Sequence, residues 1–434
     1  MKVTLLIISG SGCLVQYLPE NLRVIIPIGG RAKRLLPLTA ETSKACIRLL
    51  NRPLIEIALL CLANQGVKNF IFGVKGYTNY RNLHDYFESG IGFSAKYGIE
   101  PRIHIKYQPN VEDCGSADSA RINIEYYDIK DPIFAVQGDN IFDVDLKKLM
   151  EFHVERGAMM TIGLREVEDV EGFGIADIDE DMRIRRFVEK PSIKESPSNL
   201  ANTGLYLVTP QIREVLQEDG IKNLIRERGR LDFGYDLIPY LIETGRKVYG
   251  YKLSGSWYDV GTPERYLQAM KEILHGRLAS LQDFGGRLQE GLQVWVQGES
   301  LESIRRRKEI VKKIEDGSIG VEGAVLIGRH CQIGAGVFIK DSCIDNYTKV
   351  EDGATIEDSA IMDRTVIGRS AYISNSIVAR HVTIKSSLER PTKICGMSVV
   401  ADDVTIEEGC TMEETKVYPH LKVRKGTYMK RTIT

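Results

Sequence analysis

The stretch Arg23-Val24-Ile25-Ile26-Pro27-Ile28-Gly29-Gly30-Arg31-Ala32-Lys33-Arg34-Leu35-Leu36-Pro37-Leu38-Thr39, followed shortly by Ser43-Lys44, decides the reading of this chain. Its Val- and Ile-rich run predicts a buried strand, and the Gly-Gly pair lets the backbone turn sharply and approach a ligand closely. Arg31, Lys33, Arg34 and Lys44 then gather positive charge beside exposed backbone N–H groups, as holding a polyphosphate requires.

Outward from this stretch, strands and helices alternate. Pro53 to Ala63 has helical spacing and ends near Gly66, a C-cap. Asn69–Val74 reads as a strand, His104–Tyr107 as extended, Ala117–Tyr127 as helical and Ile133–Val136 as a buried strand. That order predicts a mostly parallel sheet with helices on both faces, which binds ligands at the carboxyl ends of its strands. The Gly-Gly turn, Gln108 and Asp139 each follow a strand and are expected on one edge. Residues 159–265 read as mixed, with strands at Met159–Leu164, Phe173–Ile178 and Leu205–Val208 and a helical stretch near Tyr235–Ile242. From about 264 to 316 the chain turns helical and charged, and Arg305-Arg306-Arg307-Lys308 reads as a solvated helix face.

Beyond residue 319 the pattern changes kind. Apolar residues recur at spacings of six, six and five, a period of seventeen. Ile327, Ile344, Ile361 and Val378 form one column, Ile333, Val350, Ile367 and Ile384 a second, and Ile339, Ile356 and Ile373 a third. No α-helix produces this, whereas a triangular coil with one short strand per side does. The rhythm breaks at Ser386–Thr392 and resumes at Ile394, Val400, Ile406, Met412, Val417 and Val423.

At 434 residues, two domains are expected. A formal net charge of −1 gives no reason to expect a nucleic-acid partner. The eight cysteines form no Cys-x-x-Cys pair, which suits neither zinc nor a disulfide framework and fits a reducing cytoplasm. No apolar run reaches the length of a membrane span. Near the start, one Lys and a short apolar core broken by Ser9-Gly10-Ser11-Gly12 do not make a signal peptide.

The opening stretch resembles the signature of the sugar-1-phosphate nucleotidylyltransferases, Gly-Gly-x-Gly-Thr-Arg-Leu-x-Pro-Leu-Thr closing with Pro-Lys. Gly29, Gly30, Arg34, Leu35, Pro37, Leu38, Thr39 and Lys44 fall on it. Ala32, Lys33 and Ser43 stand where the family has Gly, Thr and Pro, and because Ala tolerates positive φ poorly a different loop path is expected. Further matches are Gln108-Pro109 with Gly115-Ser116-Ala117, Gly138-Asp139-Asn140, Gly172-Phe173-Gly174, Glu189-Lys190-Pro191, Asn202-Thr203-Gly204 and Trp257-Tyr258-Asp259. Asp232 to Pro239 also echoes a family segment and reads as structural. The periodic C-terminal part resembles the hexapeptide-repeat left-handed parallel β-helix that many of these enzymes carry.

The resemblance implies an α/β fold, a Rossmann-like nucleotidyltransferase domain with a mixed, mostly parallel sheet plus a C-terminal left-handed β-helix. The expected layout is an N-terminal extension over 1–22, the catalytic domain over 23–265, a helical connector over 266–318, the β-helix over 319–426 and a tail over 427–434. It implies condensation of a sugar 1-phosphate with a nucleoside triphosphate, with Arg34, Lys44 and Lys190 catalytic. Gly29, Gly30, Arg31, Lys33, Gln108, Gly115 and Ser116 would hold the nucleotide, and Gly174, Glu189 and Asn202 the sugar. Asp139 and Asp259 would hold Mg²⁺. A Gln amide at position 108 leans toward uracil or thymine, hence UTP or dTTP, with a GTP-using mannose-1-phosphate guanylyltransferase as the alternative. A homo-oligomer assembled through the β-helix is expected. Two rivals stay open: a non-catalytic regulatory or scaffold subunit of the same plan, and an acyltransferase activity of the β-helix using His330, His381 or His420.

Overall fold

The computed structural model describes residues 18–30 and 32–434, and the backbone of two short paired strands, Leu6–Ile8 and Leu14–Gln16. Arg31, expected to touch nucleotide, and much of the expected N-terminal extension lie outside the described residues. The chain forms two compact units, one made of the chain up to Gly30 with Ala58–Asp259, the other of Arg31–Ile57 with Val260–Thr434. The boundary near 265 expected from the sequence is therefore not the only one, because the segment after Gly30 groups with the C-terminal half.

In the first unit, β1 (Arg23–Ile28), β2 (Asn69–Val74), β3 (His104–Tyr107) and β4 (Ile133–Val136) pair in parallel in the order β4-β1-β2-β3. Helix α1 (Leu54–Asn64) precedes β2 and α2 (Ser116–Tyr126) precedes β4. Val24, Ile25 and Ile26 are all fully buried, as an unbroken apolar run in a parallel strand covered on both faces should be. β5 (Asn140–Phe142) leaves the sheet at its carboxyl edge. β6 (Met160–Glu166), β7 (Gly174–Ile178), β8 (Ile184–Glu189), β9 (Leu200–Val208) and β10 (Val248–Lys252) complete a nine-stranded sheet. β9 runs antiparallel to β4 and carries the mixed half of the sheet on its other side. β11 (Trp257–Asp259) pairs antiparallel with β5. Ala117, Ala120 and Ile124 of α2 share one core cluster with Ile25, Ile71, Ala135 and Tyr206.

In the second unit the three columns of the sequence are three sheet faces. Ile327, Ile344, Ile361 and Val378 are successive parallel partners and continue through Val400, Val417 and Ile433. Ile333, Val350, Ile367 and Ile384 do the same, as do Ile339, Ile356 and Ile373. Each coil buries its β-branched side chains on those of the coil before. The interruption at Ser386–Thr392 closes locally, with Thr392 Oγ1 donating to the Lys385 carbonyl at 2.7 Å, and Ile373 then pairs directly with Ile394. The coil runs beyond the expected end at 426 through strands Thr427–Met429 and Thr432–Ile433, and its first face begins at Val294–Val296 inside the expected connector. Helix α3 (Leu301–Glu315) packs Ile310 into the coil core and leaves Arg305, Arg306 and Lys308 exposed.

The apolar pattern did not reveal how the corners are satisfied. Buried Ser359 and Ser376 donate their backbone N–H to the hydroxyls of Ser342 and Ser359, at 3.0 and 3.1 Å, one coil apart. Another corner carries a ladder of left-handed residues, His330, Tyr347, Arg364, His381, Asp403 and His420, with φ between 57° and 62°. The three histidines singled out from the sequence are therefore corner residues. Among the described residues no helix is long and apolar enough to cross a membrane.

Candidate functional site

The parallel strands of the first unit deliver their following residues to one edge. Gly29 and Gly30 follow β1, and Gly30 has φ +88. A Cβ on Gly29 would lie 3.1 Å from Lys75 Cβ, so these two strand ends approach closely and leave little room for a side chain there. Lys75 follows β2, and its Nζ donates to the Asp113 carbonyl at 2.6 Å. Burial raises the Asp113 carboxyl, and the nearby Lys75 opposes that rise. Sequence reasoning passed over both residues, although Lys75 follows a buried strand just as Gly29 does.

Gln108 follows β3 but turns inward and is 5% exposed. Its Nε2 donates to the Asn110 carbonyl at 3.0 Å, while Oε1 accepts from Ser119 Oγ at 2.7 Å and Asn123 Nδ2 at 3.2 Å. Both ends of the amide expected to read a base are thus engaged within the fold. The start of α2 is likewise roofed over. Ser116 donates from N and Oγ to Asp232 Oδ1 at 3.1 and 2.9 Å, and the N–H groups of Ala117 and Asp118 meet the Leu231 carbonyl at 3.0 Å. A Cβ on Gly115 would stand 2.6 Å from that same carbonyl oxygen.

The two carboxylates expected to hold metal come from stretches far apart in sequence. Asp139 immediately precedes Asn140, and Asn140 is the direct antiparallel partner of Asp259. Both strands are tied to β9 at one point, where the Thr203 carbonyl accepts from Asn140 Nδ2 at 2.7 Å and Trp257 Nε1 at 3.1 Å. β9 bends there through Gly204, at φ +75, where a Cβ would lie 2.8 Å from Asn140 Nδ2. Asn202 holds this bend, accepting from Gly204 N and donating to Tyr206 Oη, both at 2.9 Å. Two hard oxygen donors suit Mg²⁺. No group of three or more metal-ligating side chains gathers among the described residues, so a cation here would complete its shell with phosphate and water.

Gly174 and Glu189 are direct partners across β7 and β8. The Glu189 carboxylate lies between two glycine backbones, where a Cβ on Gly174 would come within 2.5 Å of Oε2 and one on Gly234 within 2.2 Å. Burial raises its carboxyl above the ordinary range, with the Lys190 ammonium, 3.8 Å from Oε1, acting against it. Lys190 itself is left-handed, with φ 50. Its Nζ lies 5.5 Å over the ring of Tyr235, which also carries the Arg230 guanidinium at 4.4 Å.

Asp232–Pro239 is more than the structural segment expected from sequence. It forms a wide turn over Phe233–Leu237 built on Asp236, which is 1% exposed and receives Arg230 Nε at 2.9 Å and the Asp232 N–H at 2.9 Å. Phe233 stacks on Tyr206 at 4.4 Å. That turn brings Asp232 to Ser116, Gly234 to Glu189 and Tyr235 to Lys190. Its spacing gave no hint of this, because a helix with one widened turn has the same local pattern as an ordinary one.

Lys33, Arg34 and Lys44 belong to the second unit. Lys33 and Arg34 are exposed on a short turn, Lys33–Leu35, with Leu35 buried beneath it. Ala32 enters that turn at φ 40, ψ 47, the left-handed conformation that glycine adopts readily and alanine does not. The cost is about 1 kcal/mol, and Ala32 is braced by Thr39 Oγ1, which donates to its carbonyl at 3.1 Å. Ser43 stands at φ −64, the value a proline would impose, and leads into the turn Lys44–Cys46.

A mostly parallel sheet with a glycine turn after its strand β1, in a chain that ends in a three-sided coil, is the plan of a class of nucleotide-handling proteins. The chain belongs to the nucleotidyl transferase family, whose model matches residues 23–276, and residues 321–433 match the GMPPB C-terminal domain. It is 25% identical over 364 residues to the UTP–glucose-1-phosphate uridylyltransferase of Synechocystis, covering 80% of this chain and 89% of that one. It is 28% identical over 435 residues to the glucose-1-phosphate adenylyltransferase of Fervidobacterium nodosum, covering 93% and 96%. It is 27% identical over 404 residues to the mannose-1-phosphate guanyltransferase of Pichia angusta, covering 92% and 96%.

Proposed function

We propose that this chain transfers a nucleotidyl group from a nucleoside triphosphate to a sugar 1-phosphate. The observation that supports the reading is the antiparallel pairing of Asn140, the residue after Asp139, with Asp259, which joins two stretches far apart in sequence beyond the carboxyl end of β4. A phosphate oxygen of the sugar 1-phosphate attacks the α-phosphorus, the bond from that phosphorus to the β-phosphate bridging oxygen breaks, and pyrophosphate leaves. No protein nucleophile is needed, so catalysis reduces to alignment and charge stabilisation. Arg34 and Lys33 neutralise the triphosphate, Lys44 the region of the α-phosphate, and Lys190 the attacking phosphate. Glu189, fixed between Gly174 and Gly234, accepts from sugar hydroxyls. Mg²⁺ held by Asp139 and Asp259 would supply Lewis-acid stabilisation of phosphate charge.

UTP or dTTP rests on a Gln108 amide that can turn to a base, and here three short hydrogen bonds hold that amide inward. This observation removes the argument for uracil or thymine and names no other base; the alternative, GTP with mannose 1-phosphate, is supported by the name of the Pichia relative. The test is pyrophosphate release with Mg²⁺ across four or five sugar 1-phosphates and all common nucleoside triphosphates. Release confined to GTP with mannose 1-phosphate supports the guanylyl reading, and release confined to UTP or dTTP returns base reading to Gln108. Folded protein that releases nothing and binds no triphosphate would instead indicate a regulatory subunit.

A further inference from the structure

The segment 31–57, which carries Lys33, Arg34 and Lys44, is fastened to the coil on both sides of Lys44. Ahead of Lys44, Glu41 faces the corner residue His420, whose Nε2 lies 3.0 Å from both carboxylate oxygens. Beyond Lys44, the Arg48 guanidinium grips Asp345 with two nitrogens, Nε on Oδ2 and a terminal nitrogen 3.0 Å from Oδ1. Asp345 is 2% exposed, and Asp363 stands 3.7 Å from Arg48 Nε while held by Arg380 at 2.7 Å. The neighbouring backbone is pinned as well. Tyr266 Oη donates to the Arg48 carbonyl at 2.5 Å, and Asn51 Nδ2 donates to Gln297 Oε1 at 3.1 Å.

A second observation concerns the hairpin that presents Arg48. Strands Arg48–Leu49 and Arg52–Pro53 are joined by Leu50 and Asn51 at φ 54° and 65°. Asn accepts this left-handed turn, whereas for a bulky apolar side chain it is an outlier that persists only when its surroundings impose it. Leu50 is 1% exposed, so the packing around it supplies that imposition.

We propose that the coil is a positioning element for the reaction. Asp345 through Arg48, and His420 through Glu41, hold the stretch between residues 41 and 48 and so set where Lys44 acts. The role of Lys44 rests on the nucleotidyl-transfer reading, whereas the anchoring does not. A coil that served only assembly would tolerate loss of these pairs at unchanged turnover.

The experiment compares the full-length protein with Asp345→Asn, with Glu41→Gln, and with the reciprocal pair Arg48→Asp plus Asp345→Arg. It measures kcat and KM, the melting temperature, and hydrogen exchange over residues 41–49. Asp345→Asn is expected to lower kcat about tenfold with KM for the sugar 1-phosphate nearly unchanged. Amide exchange over 41–49 rises, and the reciprocal pair restores part of both. Glu41 is exposed, so Glu41→Gln folds in any case, and it is expected to lower kcat about threefold. Wild-type kcat in both single variants, or unchanged exchange over 41–49, overturns the proposal. Wild-type protein inert with every substrate pair would overturn the nucleotidyl-transfer reading and, with it, the role of Lys44. The exchange comparison would then still decide the anchoring.

Discussion

Replacing Gly234 by alanine is expected to damage activity far more than stability. The new Cβ would stand 2.2 Å from Glu189 Oε2 and 2.9 Å from its Cδ, where ordinary contact begins near 3.4 Å. The carboxylate must therefore retreat by about 1 Å from a position where the backbone of Gly174 also lies close to the same oxygen. Because the clash falls on the end of a flexible side chain, the cost to folding is small, about 1 kcal/mol. A displacement of that size in a substrate-holding group costs about 100-fold in rate, or about 2.7 kcal/mol. The assay is kcat/KM for the sugar 1-phosphate by pyrophosphate release, with a thermal melt on each variant. Gly92→Ala is the control, since a Cβ there meets nothing within 4 Å, and it should leave the kinetics alone. A folded Gly234→Ala variant within about threefold of wild-type kcat/KM would refute the placement of Glu189 among the substrate-holding groups.

Asp139→Asn and Asp259→Asn are each expected to cost on the order of 3 kcal/mol in the barrier and to raise the Mg²⁺ concentration needed for half-maximal turnover. Metal titrations identical to wild type would dismiss both as holders. Chelating the metal from wild type should stop pyrophosphate release, and Mg²⁺ should restore it. Glu189→Gln is expected to raise the melting temperature near neutral pH while lowering turnover. Burial raises the Glu189 carboxyl in the folded state, so its contribution favours folding below the ordinary carboxylate range and is lost as pH rises through the raised value. The gain from Gln should therefore fade toward about pH 4, and melts at both pH values check it. Ile361→Ala, buried between Ile344 and Val378 in the first column, should cost about 2–5 kcal/mol by denaturant unfolding. A loss under about 1 kcal/mol would mean that the column collapses around the gap.

The coil and the alternating sheet were legible in the sequence because their causes are local and repeated. In the coils before the interruption each residue meets its counterpart seventeen positions on, as Ile344 meets Ile361, so the register is written in the period itself. A strand buried on both faces announces itself by an unbroken apolar run, and strand ends carry Gly29, Asp139 and Gln108 to one edge whatever the loops do. What the side chains do on arrival depends on neighbours distant in sequence. Whether the Gln108 amide faces a ligand is settled by Ser119 and Asn123, which compete for the same atoms. The turn after Asp232 joins Glu189 only because Asp236 is buried under Arg230, and the stretch after Asp139 meets Asp259 only because β5 and β11 pair. Ala32 and Leu50 hold left-handed conformations that their own chemistry disfavours. The sequence alone determined the fold, through periodicity, and which residues stand at the strand ends. Only the tertiary structure decided which polar groups are spent inside the fold and which segment is anchored to the coil. Hydrogen-bond competition and packing act between residues that the chain order does not bring together.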